Sequence, residues 1–219
     1  WEYNESTGEF VRMLNNYTNQ ANYFLVLNSG SAKRINNRVE PSATPVVVHE
    51  NFQDYRIYEN DIINLGNTGR IVLGEEFDMV LTRNFNFQFP NITPNSEVKV
   101  RVNVGGVVTG SSANRAWWRI SANNQLIGSI SSTGLGGGAV SSYYRYDSTL
   151  FTYNTSNPNL SIRVLFEKNI PADKGYLDKI SITALRPLTF IGNQLRFRNL
   201  TYLHPTNTVQ YQVSDPNNA

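Results

Sequence analysis

The stretch KGYLDKISITALRPLTFIGNQLRFRN, Lys174 to Asn199, decides the fold class. Ile180, Ile182 and Ala184 alternate with Lys179, Ser181 and Thr183, the two-residue period of a strand with one face on a core and one toward solvent. Pro187 lacks an N–H to donate, so ladder pairing should end there. Thr189 to Phe197 then reads as a second strand pair turning at Gly192-Asn193. Nothing in the stretch carries chemistry; it is scaffold, and it sets the class as all-β.

The same period recurs on either side. Phe85, Phe87 and Phe89 alternate with Asn84, Asn86 and Gln88, and Pro90 closes that strand. Val98, Val100, Val102 and Val104 alternate with Lys99, Arg101 and Asn103, and Gly105-Gly106 marks a bulge or bend. Ala116 to Ala122 and Gln125 to Ile130 form a hairpin about Asn123-Asn124. Tyr143 to Tyr153 and Leu160 to Phe166 follow, the latter with Leu160, Ile162, Val164 and Phe166 inward. Strands at this spacing, with Asn and Gly turns and no long amphipathic helix, predict an antiparallel β-sandwich of jelly-roll type over 77–187, preceded by an N-terminal β-rich segment.

That segment, 1–76, is less regular. Glu9 to Asn15 is compatible with one helical turn, Asn22 to Leu27 with a short buried strand, and Val46 to His49 with another. From Phe52 to Phe77, charged residues, Asn and glycines break every apolar run, which predicts a strand, a polar connection and a docking segment. Residues 188–219 read as a β-hairpin and a linker. An opening on Trp1 and a close on polar residues look like a cut from something longer.

Composition narrows the functions. With 219 residues the chain is long enough for a sizeable core, and a net charge of +2 with mixed signs offers no cationic tract for nucleic acid. No apolar run approaches the roughly 18 residues of a membrane-spanning helix. Cysteine is absent, which excludes disulfides, thiolate metal sites and a thiol nucleophile in this chain.

Candidate sites each have a plainer alternative. His49 and His204 lack an identifiable nucleophile, and no G-x-S-x-G elbow is present, so both read as structural or solvated. TGLGGGA, Thr133 to Ala139, lacks the Lys-Ser/Thr ending of a phosphate loop and reads as a hairpin loop. Asp147, Asp173 and Asp178 are oxygen ligands of the kind calcium takes, but their scattered spacing favours structural turns. No metal or cofactor is expected. Trp117-Trp118 beside Arg115 and Arg119 is more informative: neighbours on a strand face opposite ways, so one indole should leave the core. With Tyr143, Tyr144 and Tyr146 it could stack on a sugar or anchor a protein partner.

Five blocks occur in an order and spacing that resemble one family: NQANYFLVLNSGSAKRI (19–35), DYRIYENDIINLGNTGRIVLGEEF (54–77), FNFQFPNI (85–92), GYLDKISITALRPLTFIGNQLRFRN (175–199) and VQYQVSDP (209–216). They resemble the region N-terminal to the peptidase domain in PorU-type proteins, the gingipain-related cysteine-peptidase sortases of type IX secretion. The resemblance implies a parent exported to the outer membrane and cell surface of a Gram-negative bacterium, where it cleaves the C-terminal sorting signal of cargo and helps transfer cargo to a surface glycolipid. It implies as partners the downstream peptidase domain, other secretion components, cargo signal domains and glycolipid. The catalytic His/Cys pair would lie beyond Ala219, since no position here matches it. Two alternatives remain: a carbohydrate-binding module using exposed aromatics, and a glycan hydrolase, which requires two facing carboxylates that spacing does not identify.

Overall fold

Alternating apolar residues leave the chain two ways to hide them, and it uses two facing sheets. The computed structural model describes residues 2–4, 6–7, 9–11, 27, 30, 39, 41–67, 71–136, 143–190, 192–199 and 208–215. Strands β1 (Glu2–Asn4) and β2 (Glu9–Val11) form an antiparallel hairpin. Then come β3 (Val47–His49), β4 (Asn51–Glu59), a 3₁₀ turn at Leu65–Asn67, β5 (Glu76–Phe77), β6 (Thr82–Gln88) and β7 (Ser96–Val107). Strands β8 (Arg115–Ala122), β9 (Gln125–Thr133), β10 (Arg145–Thr155), β11 (Asn159–Glu167), β12 (Lys174–Pro187) and β13 (Val209–Tyr211) complete the set.

One sheet has the order β10-β7-β12-β4, with β5 continuing the β4 edge of β12; the other has the order β6-β11-β8-β9. Apart from the β8–β9 hairpin, each successive strand from β6 to β12 crosses to the opposite sheet. Two antiparallel layers of five and four strands wound in this way are a jelly roll. The all-β sandwich is therefore as expected, but β4 lies before residue 77 and pairs with β12 from Asn51↔Pro187 to Glu59↔Lys179. Part of the sandwich thus comes from the stretch assigned to the N-terminal segment.

The core sits between the layers. Val98, Val100, Val102 and Val104 from one sheet and Trp118, Ile120, Ile162, Val164 and Phe166 from the other are fully buried. Each such side chain contributes about 1.5–3 kcal/mol relative to exposure. Trp118 lies 4.5 Å from Phe166 and 5.3 Å from Phe77, ring centre to ring centre. Its indole N–H donates to Ser132 Oγ at 3.1 Å, and that hydroxyl donates to Asp147 Oδ2 at 2.7 Å, so the polar edge of this indole is satisfied. The indole rests on backbone at Gly175, where a Cβ would stand 2.4 Å from Trp118 Cη2.

Several expectations change. Glu9–Val11 is a strand, not part of a helical turn. Of the run 22–27 only Leu27 is among the described residues, and it lies at a bend, 78% exposed. Gly192-Asn193 is a turn, with Gly192 at φ 80, but the described residues 194–199 join no ladder. Thr189 instead bridges Ser214 in parallel, beside the parallel pair β3–β13. Main-chain bonds Leu188 N to Glu50 O (2.7 Å), Ser214 N to Leu188 O (2.8 Å) and Gln212 N to His49 O (2.9 Å) tie these segments together.

Nor is β12 wet on one side. Ser181 and Thr183 are buried, as is Asn103 across the ladder on the same outer face. Lys99 Nζ reaches Thr7 O at 2.9 Å at one end of this face, while Leu73, fully buried, covers Gly105 at the other. A Cβ on Gly105 would lie 3.0 Å from Leu73, so the glycine admits the covering segment. Between Leu177 and Lys179 the register slips, making Asp178 the extra residue of a bulge. The irregularity expected at Gly105-Gly106 thus falls on the partner strand.

Candidate functional site

The two aromatic groups anticipated as one binding surface stand on opposite outer faces. Trp118 faces the core and is fully buried, so it cannot meet a ligand; Trp117, its neighbour, points the other way and is 37% exposed. Arg115, Trp117 and Arg119 line up on the outer face of the β6-β11-β8-β9 sheet by the same alternation. The Arg119 guanidinium lies 5.3 Å from the Trp117 ring centre and donates through Nε to Glu167 Oε2 at 2.8 Å. Glu167 is directly across the ladder from Trp117. A half-exposed indole is thus held rigidly beside an ion pair, with Arg115 exposed next to it.

Tyr146 lies on the other sheet, opposite Gly105 on its outer face. Its hydroxyl donates to Asp178 Oδ2 at 2.7 Å and accepts from Asn103 Nδ2 at 2.8 Å. Burial, with the Asp178 charge second, pushes the Tyr146 phenol well above its ordinary range, and burial likewise raises Asp178. Tyr144 packs against Gly105, and the Tyr143 ring covers Gly66 in the 3₁₀ turn. Tyr143 thus meets the 3₁₀ turn while Tyr144 and Tyr146 lie against the sheet, an arrangement the alternation could not foretell because it depends on a loop folding back.

The three aspartates have separate tasks. Asp173 is fully buried and accepts from Thr109 N at 2.8 Å, Asn169 N at 2.9 Å and Ile170 N at 3.0 Å, fixing the turn into β12. Asp147 serves Ser132 and Asp178 serves Tyr146. Among the described residues no group of three or more acidic or histidine side chains is placed to hold a metal. His49 stacks on Tyr211, ring centres 5.7 Å apart, while His204 and residues 137–139 of the glycine tract lie outside the described residues.

Two cavities of about 330 Å³ flank the β4 edge, and neither was anticipated. The first lies between Phe52–Tyr55 and Arg196–Arg198. Beside it Asp54 holds two guanidiniums, Arg56 and Arg186, each at 2.6 Å, and Arg186 Cζ sits 5.5 Å over the Phe52 ring. The second opens between β4 and β6 and is lined by Tyr58, Glu75, Arg83, Asn84, Phe85 and Asn86. Tyr58 donates to Glu75 Oε1, which also accepts from Asn60 Nδ2 at 3.1 Å; burial and then Glu75 raise the Tyr58 pKa. Arg83 Nη2 donates to Glu76 O at 3.1 Å, with the guanidinium 5.6 Å from the Phe77 ring. Glu75 Oε2 and Arg83 Nε are buried without a partner. Arg83 occupies an inward position in register with Phe85 and Phe87, and a charge in that apolar series is the signal that could have disclosed it.

No family model and no curated protein matches the sequence. Among solved structures, the fold is similar to part of dimeric latent PorU from Porphyromonas gingivalis. The TM-score is 0.64 and the identity 18%, over 78% of this chain and 16% of that one. This chain therefore spans only a small part of the PorU chain. A carbohydrate-binding module domain of a multidomain xylanase from the hindgut metagenome of Trinervitermes trinervoides matches at 10% identity and TM-score 0.38, over 59% of this chain and 96% of that one. A family 35 carbohydrate-binding module from Clostridium thermocellum matches at 17% identity and TM-score 0.35, over 64% and 98%. At 18% identity the likeness to PorU is one of fold.

Proposed function

We propose that the chain is a non-catalytic module of a larger PorU-like cysteine peptidase of type IX secretion at the outer surface of a Gram-negative bacterium. It serves there as a rigid support that docks the catalytic domain, cargo signal domains or other secretion components. The observation that carries this reading is the likeness of fold to part of latent PorU over most of this chain. The absence of cysteine agrees with a thiol nucleophile supplied by another part of the parent. The docking surface is the outer face bearing Arg115, Trp117 and Arg119, because the opposite face is partly covered and an aromatic flanked by arginines is the composition that anchors interfaces.

The test is to mix the chain with the region encoded downstream, produced separately, and to measure complex formation by calorimetry. Trp117→Ala should weaken the complex at least tenfold, about 1.4 kcal/mol or more. No complex, or one indifferent to Trp117 and Arg119, counts against the docking role. A downstream coding sequence without a His/Cys peptidase domain counts against the parentage.

A second reading, a carbohydrate-binding module for surface glycolipid or polysaccharide, draws on the same exposed indole, whose flat face suits a sugar ring. It demands glycan binding by the isolated chain that disappears in Trp117→Ala. Binding only to protein partners would dismiss it.

A further inference from the structure

The outer face of the β6-β11-β8-β9 sheet carries more than the Trp117 group, and strand register fixes the rest of its layout. Arg119 lies opposite Leu165 on β11 and Ser129 on β9. One step further along, Ser121 lies between Arg163 on β11 and Leu126 on β9, and Asn84 on β6 lies beyond Arg163. Directly opposed residues share a face, so Arg163, Leu126 and Asn84 join Arg115, Trp117 and Arg119 on the outside. Arg115, Arg163 and Asn84 are exposed, and Leu126 is so at 59%. Successive rows along a strand are about 6.7 Å apart and neighbouring strands about 4.8 Å. Between backbone positions, Trp117 and Leu126 therefore stand about 14 Å apart, and Arg115 and Arg163 about 21 Å apart at the two ends of the group.

The charge on this face is almost all of one sign. Its outward strand positions hold Arg115, Arg119, Arg163 and Glu167, with no lysine and no aspartate. Glu167 is bonded to Arg119, whereas Arg115 and Arg163 make no ion pair and no side-chain hydrogen bond among the described residues. Three arginines against one glutamate leave +2 here, as much as the net charge of the whole chain. Arginine and an aromatic in place of lysine and aspartate is the composition of a protein interface, and two exposed apolar side chains with guanidiniums among them supply its anchors. Leu126 has no flat face on which a sugar ring could stack, which favours a protein over a polysaccharide. A second copy of the chain is a poor occupant, because two-fold pairing would set one +2 face against another.

We propose that this face docks an acidic protein surface, with carboxylates meeting Arg115 and Arg163 at the two ends and an apolar patch between them meeting Trp117 and Leu126. This rests on the docking reading, to which it adds the partner's chemistry and the contributions of Leu126 and Arg163. Guanidiniums free of internal partners are ready to grip carboxylates without first breaking a bond.

The test titrates the whole chain, isotope-labelled, with a soluble peptide of Glu and interspersed Leu, with its Lys counterpart, and with polygalacturonate as an acidic polysaccharide, followed by amide NMR. The acidic peptide should shift the amides of β8, Leu126 and Arg163 saturably at millimolar concentration, and less as salt is raised; the basic peptide should not. Arg115→Glu and Arg163→Glu should each weaken binding at least threefold, and together at least tenfold, with the spectrum otherwise intact because both side chains are exposed. Arg145→Glu, the same change of charge at an exposed position on β10 of the other sheet, should leave it within twofold. No saturable shift with the acidic peptide, shifts outside this face, or binding indifferent to both reversals overturns the proposal. So does polygalacturonate binding this face more tightly than the peptide, which would make a glycan the occupant. The same variants measured against the separately produced downstream region keep the two readings apart. If that region does not bind at all, the docking role fails and the peptide decides the partner's chemistry; binding that survives the double reversal refutes an acidic partner while docking through Trp117 stands.

Discussion

Gly175→Ala tests the core more sharply than any truncation. The added Cβ would stand 2.4 Å from Trp118 Cη2, 2.8 Å from its Cζ2 and 2.9 Å from Phe166 Cγ, all closer than carbon atoms tolerate. The indole cannot swing away cheaply, since its N–H is held by Ser132 and Phe77 and Phe166 flank it. Overpacking of this kind costs about 1–3 kcal/mol. For a chain of this size that lowers the thermal midpoint by about 2–12 °C, at roughly 2–4 °C per kcal/mol. Urea unfolding followed by tryptophan fluorescence measures it directly. Trp118→Ala alone should cost about 3–5 kcal/mol, and in that background most of the Gly175→Ala penalty should vanish, because the clashing ring is gone. A Gly175→Ala protein as stable as its parent, or an equal penalty in both backgrounds, would refute this account of the core.

Further outcomes follow from other contacts. Asp54→Ala strips two guanidiniums of their shared carboxylate; with Arg186 only 10% exposed at its side chain, the loss should approach the 3–5 kcal/mol of a broken buried pair, tempered by the more open Arg56, and urea unfolding reads it. Asp178 binds its proton more tightly when folded, because burial raises its pKa. Its contribution to stability is complete below its ordinary value of 3.8 and is lost as pH rises through the higher folded value, so Asp178→Asn should be more stable than the parent near neutrality. Asp78 has the opposite sign: Lys168 and then Lys174 lower its pKa, so its stabilisation is present above 3.8 and lost as pH falls through the lower folded value. Asp78→Asn should therefore flatten the acid limb of a stability–pH profile. Trp117→Ala should leave the unfolding free energy, read by urea unfolding, within about 0.5 kcal/mol of the parent, as surface changes do, which separates its docking role from any part in folding.

The strands with one face on the core were legible because alternation records burial directly: Phe85, Phe87 and Phe89, the valines of β7, and Ile162 to Phe166 all point where the period places them. Which outer face would be covered was not legible. Ser181 and Thr183 have the residue types of a wet surface, and their burial depends on segments far away in sequence. The grouping of the candidate site residues was hidden for the same reason. The period turned Trp117 outward correctly, but whether Tyr146 joins it depends on which sheet each strand enters, and the winding that decides this is a long-range property. Glu75 is unremarkable locally, and Arg83, although a charge within an apolar series, joins it at one cavity only because two sheet edges meet there.

The clasp of β3 and β13 has a mechanical consequence. Their strands run in the same direction, with Val209 beside Val47 and Tyr211 beside His49. Tension applied to the chain ahead of Val47 and beyond Tyr211 would draw the two strands apart along their length. Their hydrogen bonds would then share the load together instead of parting one by one. A module gripped in this manner would resist stretching at the clasp itself.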